Sequence, residues 1–212
     1  MRLVLFFSFS SALLAQPLAF GVKGGVPLTD FLDTVSGSRT SITSTTNRYI
    51  VGPTIELRLP AGFGVEFDAL YRHFRYNSAA SLVDAITSIN TTGNAWEFPL
   101  LLKKRFSSGP IRPFLDAGVN FNRISGVTQT VQTLVFPNRT TTSSTSDPAE
   151  LKDTYSTGFA IGAGIELKAI LLKLTPEIRY TRWGTQNFDA VISNGTLRSN
   201  RNQAEFLLGI TF

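Results

Sequence analysis

The sequence predicts an all-β protein, an eight-stranded antiparallel up-and-down transmembrane β-barrel with short turns at one end and long loops at the other. Three observations predict this fold. Segments of strand length alternate between apolar and polar side chains. Short turns and long Ser/Thr-rich connections follow these segments in alternation. The carboxylates of the segments all lie on the same side of the alternation.

The N-terminus has the layout of a secretory signal peptide. Met1 and Arg2 form a short positive region, residues 3–14 are apolar apart from serines, and Ala15 supplies a small residue before a cleavage site. The apolar stretch is too short to span a bilayer as a helix. We therefore expect a signal peptide at residues 1–15 and one barrel domain at residues 16–212.

The strands and their connections follow in chain order. The predicted strands are residues 18–28, 48–59, 63–76, 95–106, 111–123, 155–167, 170–183 and 201–212. Pro60-Ala61-Gly62, residues 107–110 and Lys168-Ala169 are the predicted tight turns. The long connections at residues 29–47, 77–94, 124–154 and 184–200 are rich in Ser, Thr, Asn and Gly and are predicted as loops. A transmembrane barrel has this asymmetry.

Parity within the strands separates apolar from charged residues, because alternate side chains of a strand point to opposite faces. In the second strand, Val51, Ile55 and Leu57 share one face, whereas Glu56 and Arg58 share the other. The other strands repeat the pattern. The strand carboxylates on the polar face are Glu56, Glu66, Asp68, Glu97, Asp116, Glu166, Glu177 and Glu205. The cations on that face are Lys23, Arg58, Arg72, Lys103, Arg105, Lys168, Lys173 and Arg179.

The polar face is predicted to line the lumen, since a Lys or Arg facing lipid near the midplane costs about 2–4 kcal/mol. Opposite charges in a narrow lumen should pair into a network that plugs the bore. The predicted lumen charge network is Lys23, Glu56, Glu66, Asp68, Arg72, Glu97, Lys103, Asp116, Glu177, Arg179 and Glu205.

Aromatic residues on the apolar face support the inside-out assignment, which parity alone does not decide. Those near the long-loop ends are Tyr49, Tyr71, Trp96, Phe121, Tyr155 and Tyr180. Those near the turn ends are Phe20, Phe63, Phe106 and Phe212. Two aromatic girdles around an aliphatic belt are typical of the two membrane interfaces.

Prolines inside the predicted strands oppose the assignment, because each removes a donor from the sheet ladder. They are Pro53, Pro99, Pro113 and Pro176. A closed barrel has no free edge for them, so we expect bulges or water-bonded partners at these positions.

Composition excludes several function classes. The net charge of +5 is spread over a chain with only 17% charged residues and no dense basic run, so we expect no nucleic-acid partner. The chain has no cysteine and a single histidine, His73, so thiolate and multi-histidine metal sites are excluded. We expect no cofactor, no metal and no catalytic residue.

Three segments resemble the small bacterial outer-membrane β-barrel superfamily of OmpA/OmpX type. The segment at residues 20–25 is similar to that family's opening strand, and residues 96–106, including Pro99, are similar to its fourth strand. The C-terminal residues Phe206, Leu208, Ile210 and Phe212 are similar to its assembly signal. The resemblance implies an outer-membrane location, lipid contact and recognition by the outer-membrane insertion machinery.

The function expected from these features is that of a non-enzymatic, monomeric barrel with a plugged lumen, whose loops carry the contacts with an extracellular ligand. A narrow pore for ions or small solutes is the alternative. An enzyme that modifies lipid is a third hypothesis, because Ser193-Asn194-Gly195 is similar to a deacylase motif, although Val191 occupies the position of that motif's histidine. A soluble ligand-binding barrel is a fourth.

Overall fold

The structure, a computed structural model, describes residues 18–36, 40–46, 49–81, 84–107, 109–137, 139–169, 172–192 and 195–212. The signal peptide expected at residues 1–15 lies outside these ranges. The strands are β1 (Leu18–Pro27), β2 (Leu32–Val35), β3 (Thr40–Thr46), β4 (Ile50–Arg58), β5 (Phe63–Asp68), β6 (Leu70–Ser81), β7 (Ala85–Arg105), β8 (Ile111–Val135), β9 (Arg139–Thr145), β10 (Tyr155–Ala169), β11 (Leu172–Trp183), β12 (Asp189–Ile192), β13 (Gly195–Ser199) and β14 (Asn202–Thr211). The described part of the chain contains no helix long and apolar enough to cross a membrane.

Antiparallel pairing closes the sheet into a barrel. β1 pairs with β4 on one side and with β14 on the other, so the first and last strands meet. The remaining neighbours are β4 with β5 and β6, these with β7, and then β8, β10, β11 and β14 in order. Because β5 and β6 together form one strand of the wall, the wall has eight strands, and the predicted eight-stranded antiparallel barrel is confirmed.

The tight turns lie at one end of the barrel. Pro60–Gly62 forms a short 3-10 turn between β4 and β5, in which Ala61 and Gly62 adopt positive φ angles of 59° and 80°. The predicted Lys168-Ala169 turn is wrong, because Lys168 pairs with Lys173 and Ala169 pairs with Leu172 in the β10–β11 ladder. Residues 170–171, which connect these two strands in the sequence, lie outside the described residues.

Regular structure at the other end extends well into the predicted loops. β7 begins at Ala85 rather than at residue 95, and β8 continues to Val135 rather than ending at residue 123. β3 pairs with the end of β6, and β9 pairs with the end of β8. A separate small sheet has the order β12-β13-β2. The segments predicted as loops therefore carry a protruding β-structure.

The prolines interrupt individual ladders without shifting the register. Around Pro176, Gly164 pairs with Glu177 and Leu167 with Leu174 in one register, while the pairs between them are absent. Similar gaps adjoin Pro53 and Pro99. The N–H and C=O of a strand residue point to the same neighbour, so a proline loses one donor and leaves the ladder on its other side intact. The prediction of bulges at these prolines is therefore wrong, and water-bonded partners at these positions stay a prediction.

The register shift in the described wall lies instead between Thr92 and Asn94 of β7, opposite Gly126 of β8. Gly126 has a φ of 59°, a conformation that glycine adopts readily. This bulge lies above the membrane-facing part of the wall, where the content of the barrel changes.

Candidate functional site in the barrel lumen

The structure places all the predicted network residues inside the barrel, each at most 4% exposed. They are Lys23, Glu56, Glu66, Asp68, Arg72, Glu97, Lys103, Asp116, Glu177, Arg179 and Glu205. The alternate residues of the same strands face outward as apolar side chains, for example Phe20 at 57% and Ile178 at 57% exposure. Buried charge inside and exposed hydrocarbon outside are the arrangement that a lipid environment requires.

Lys23 of β1 lies at the centre of the lumen. Its Nζ donates to Glu66 Oε1 at 2.5 Å, to Glu177 Oε2 at 3.0 Å and to Asp68 Oδ2 at 3.1 Å. These acceptors come from β5 and β11, on opposite sides of β1 in the wall. One ammonium group therefore joins three strands with its three donors.

Arg179 of β11 binds the same carboxylates with its fork of donors. Its Nε donates to Glu177 at 2.7 Å, its Nη1 to Asp68 at 3.0 Å and its Nη2 to Glu66 at 3.2 Å. Lys103 of β7 also donates to Glu66. Each of these groups is buried, so each charge depends on its partners to offset the cost of leaving water.

A second group of charges lies toward the tight turns. Arg105 donates to Glu56 at 2.6 Å and to Glu166 at 2.9 Å. Arg58 lies 3.6 Å and Arg112 3.3 Å from Glu166 oxygens. Arg112 was missed by the sequence analysis, although it shares the inward parity of Asp116.

Two lysines assigned to the polar face contribute less to the lumen than predicted. Lys168 is exposed and Lys173 is half-buried. Both lie at the end of the β10–β11 hairpin, where solvent reaches the side chains of either face.

A third group lies toward the long-loop end. Arg72 donates to Glu205 and to Gln203, both at 3.0 Å, and also pairs with Glu97. Asn120 donates to Glu97 at 3.1 Å. The three groups follow one another along the barrel, and we refer to them together as the ionic stack.

The ionic stack contains more buried carboxylates than buried cations. Eight carboxylates and five cations are buried among the described residues. The half-buried Arg58 and Arg112 compensate part of this difference through Glu166. Asp116 remains without a hydrogen-bond partner for either carboxyl oxygen among the described residues. The network is therefore paired except at this one carboxyl group.

Beyond Arg72 the inside of the barrel becomes apolar. Ten buried residues pack together there, and we call them the cap cluster. The cap cluster consists of Phe31, Leu32, Ile42, Phe74, Tyr76, Ala95, Ile124, Val127, Phe188 and Leu197. The Phe74 ring lies 5.1 Å from that of Phe31 and 5.7 Å from that of Phe188. The Arg72 guanidinium lies 5.2 Å from the Phe31 ring centroid, where the cap cluster meets the ionic stack.

An exposed ion-pair triad joins the small sheet to the segment between β9 and β10. Asp189 of β12 accepts from Lys152 at 2.8 Å and from Arg198 of β13 at 3.0 Å. The hydrogen bond from Lys152, followed by that from Arg198, lowers the pKa of Asp189. The triad therefore links β12, β13 and the segment that contains Lys152.

The described side chains form neither a metal site nor a catalytic dyad of the kind that the deacylase hypothesis requires. No group of three His, Cys, Asp or Glu in the described ranges is arranged to hold a metal ion. His73 Nδ1 bonds Asn94 Oδ1 at 2.9 Å, an amide rather than a serine or a carboxylate. Ser193 and Asn194, which suggested the motif, lie outside the described residues.

The C-terminal residues similar to an assembly signal lie on the outer wall. Phe206, Leu208 and Phe212 are exposed at 41%, 42% and 69%, and Ile210 is half-buried. Their outward orientation follows from the parity of β14, whose Glu205 faces the lumen.

A closed barrel with a charged interior and an apolar outer wall is an integral β-barrel of a membrane. The chain belongs to the family described as outer membrane protein beta-barrel domain, which matches residues 12–187. It is therefore a protein of the bacterial outer membrane.

Several solved outer-membrane barrels are similar to the chain. The structure of OprG from Pseudomonas aeruginosa is 13% identical with a TM-score of 0.49, and the match covers 92% of this chain and 94% of that chain. Neisserial surface protein A is 13% identical with a TM-score of 0.43, covering 92% and 96%. The N-terminal barrel of Pseudomonas aeruginosa OprF is 14% identical with a TM-score of 0.39, covering 93% and 98%. No curated protein matches the sequence.

Proposed function

We propose that this protein is a non-enzymatic, monomeric outer-membrane barrel whose lumen is closed and whose extramembrane β-structure carries the contacts with extracellular ligands. The observation that carries the proposal is that charged side chains fill one part of the lumen and apolar side chains fill the next part. The ionic stack occupies the membrane-spanning part, and the cap cluster occupies the part beyond it.

The central charges support a plug rather than a conducting path. An ion pathway needs binding that is weak enough for the ion to leave again. Here Glu66, Asp68 and Glu177 are each held by Lys23 and Arg179 at 2.5–3.2 Å. A passing cation would have to displace both bound side chains, and then cross the apolar rings of the cap cluster.

The outer face of the protruding sheet supports a role in recognition. This face carries a surface groove of about 390 Å³, and the side chains around the groove bear uncharged hydroxyl and amide groups. The groove is lined by Ser88, Asn90, Thr92, Thr128, Thr130 and Gln132. Such a surface offers donors and acceptors to an extracellular ligand without imposing a charge preference.

Conductance measurements in planar lipid bilayers test the closed lumen. The purified protein is reconstituted, and its insertion is verified independently by protease protection in vesicles and by altered gel migration without heating. We expect no steady single-channel conductance. A reproducible unitary conductance from inserted protein would overturn the proposal and establish the narrow-pore alternative.

A further inference from the structure

A surface groove on the outer wall has a polar end and an aromatic end. It measures about 460 Å³ and is lined by Trp96, Phe98, Arg123 and Ser125. Trp96 and Arg123 are direct partners across the β7–β8 ladder. Phe98 lies two residues closer to the aliphatic belt, and Ser125 lies two residues closer to the loops. The groove therefore spans the boundary between hydrocarbon and headgroups.

Arg123 differs from the arginines of the ionic stack and of the exposed triad. Arg72, Arg105, Arg179 and Arg198 each pair with a carboxylate of the chain. Arg123 is exposed, and within the ranges that the structure describes it takes part in none of the ion pairs. Its guanidinium lies 5.6 Å from the ring centroid of Tyr155, which leaves its N–H donors available for an anion.

The aromatic end of the groove is held in place by neighbouring rings. Trp96 and Phe98 stack with centroids 6.3 Å apart and planes 9° apart. Tyr71 lies 5.1 Å from Trp96, and Phe67 lies 6.3 Å from Phe98. These contacts restrict the rings to a flat apolar surface that faces the lipid, against which an acyl chain can pack.

We propose that this groove is a binding site for a phosphate-bearing lipid of the outer leaflet, with the phosphate on Arg123 and Ser125 and one acyl chain along Trp96 and Phe98. Guanidinium binds phosphate oxygens in a two-pronged geometry, and the Ser125 hydroxyl adds a donor. Cations at the membrane surface attract anionic headgroups. A free phosphate ion would leave the aromatic half of the groove unused, so the geometry favours a lipid.

The site is independent of whether the lumen conducts, because its residues face away from the ionic stack. It requires only the outer-membrane location that the family establishes. Failure of the lipid proposal would therefore leave the closed lumen untouched, and a conducting lumen would leave the lipid site untouched.

Quenching of tryptophan fluorescence by brominated lipids tests the site. Of the two tryptophans, Trp96 faces the lipid at 37% exposure, whereas Trp183 is only 3% exposed and adds a constant background. The protein is reconstituted in phosphatidylcholine vesicles that contain a small, equal fraction of brominated phosphatidic acid or brominated phosphatidylcholine. We expect the phosphatidic acid to be enriched about fivefold at Trp96, the factor that one surface arginine supplies.

Arg123→Gln should make the two brominated lipids quench equally, and it leaves no buried charge without a partner. The matched control is Arg75→Gln, which removes another exposed arginine, on β6, that does not line the groove; it should keep the preference. Equal quenching in the unmodified protein, or an equal loss in both variants, would overturn the site, since the latter shows a general surface potential. Displacement of the brominated lipid by millimolar inorganic phosphate would overturn the lipid assignment.

Discussion

The two fillings of the barrel, the ionic stack and the cap cluster, lie on the inward face of the same strands. On β6, Arg72 faces inward in the ionic stack, and Phe74 and Tyr76 follow on the same face in the cap cluster. On β8, Asn122 is followed by Ile124. The outward face changes in the opposite sense, from Tyr71 to Arg75 on β6. The polarity of both faces therefore reverses along a continuous strand.

This difference shows that the medium outside the wall determines whether charged or apolar side chains are favoured inside it. Within the membrane the wall is surrounded by hydrocarbon, so an apolar side chain gains almost no free energy by being buried inside the barrel. Paired charges occupy the lumen there instead. Above the membrane, water outside restores the hydrophobic effect, and the same barrel encloses rings as a soluble barrel does. The charges also define the register, because a slip by one residue would turn the carboxylates toward lipid.

Arg179→Met should produce the largest loss of stability, because it removes the partner of three buried carboxylates. Removing one member of a buried ion pair costs about 3–5 kcal/mol, and here Glu66, Asp68 and Glu177 lose a donor together. Urea unfolding in lipid vesicles, followed by gel migration without heating, measures the change. The control Arg182→Met alters an exposed arginine on the outward face of the same strand and should shift stability by less than about 0.5 kcal/mol. Equal behaviour of the two variants would contradict a structural role for the ionic stack.

Phe74→Ala should weaken the cap cluster without unfolding the membrane-spanning part. Loss of a fully buried phenylalanine costs about 3 kcal/mol, and Phe74 is 0% exposed. Hydrogen exchange should accelerate in β2, β12 and β13, while the β1–β14 ladder keeps its protection. Phe159→Ala is the control, since Phe159 faces outward at 54% exposure. Acceleration spread evenly over both regions would show that the cap cluster and the ionic stack unfold as one unit.

The membrane-spanning part of the fold could be predicted because lipid imposes one rule on every strand. Charged residues inside and apolar residues outside identified β10 as residues 155–167, against Tyr155–Ala169 in the structure. The same rule assigned Lys23, Glu66 and Arg179 to the lumen, where the structure places them.

The extramembrane strands could not be predicted by that rule, since there the polarity of the faces reverses. Phe74 and Tyr76 continue the inward parity of Arg72. The outward positions of the strand are no longer apolar here, so the rule that looks for outward apolar residues does not extend to them. β3 and β9 are almost entirely Ser and Thr, a composition that suggested loops. A search for the reversed alternation would have found the start of the cap cluster at Phe74 and Ile124.

The pairing within the ionic stack was also beyond the sequence, since it depends on which side chains meet across the lumen. Parity places Asp68 and Asp116 on the same face without distinguishing them. In the structure, Asp68 accepts from Lys23, Arg179 and Thr54, whereas Asp116 has no hydrogen-bond partner among the described residues.

Asp116→Asn should therefore change the unfolding stability least of these variants, and it should not lower it as the others do. The carboxyl oxygens of Asp116 and Glu177 both border the space over Gly162, so the substitution removes a like-charge contact and no hydrogen bond. We expect unfolding stability to stay constant or rise by about 1 kcal/mol. Asp68→Asn is the matched control and should be strongly destabilising, because it weakens bonds to two buried cations. If Asp116→Asn were as destabilising as Asp68→Asn, the Asp116 carboxylate would stabilise the ionic stack as much as a paired carboxylate does. The distinction between paired and unpaired positions would then be wrong.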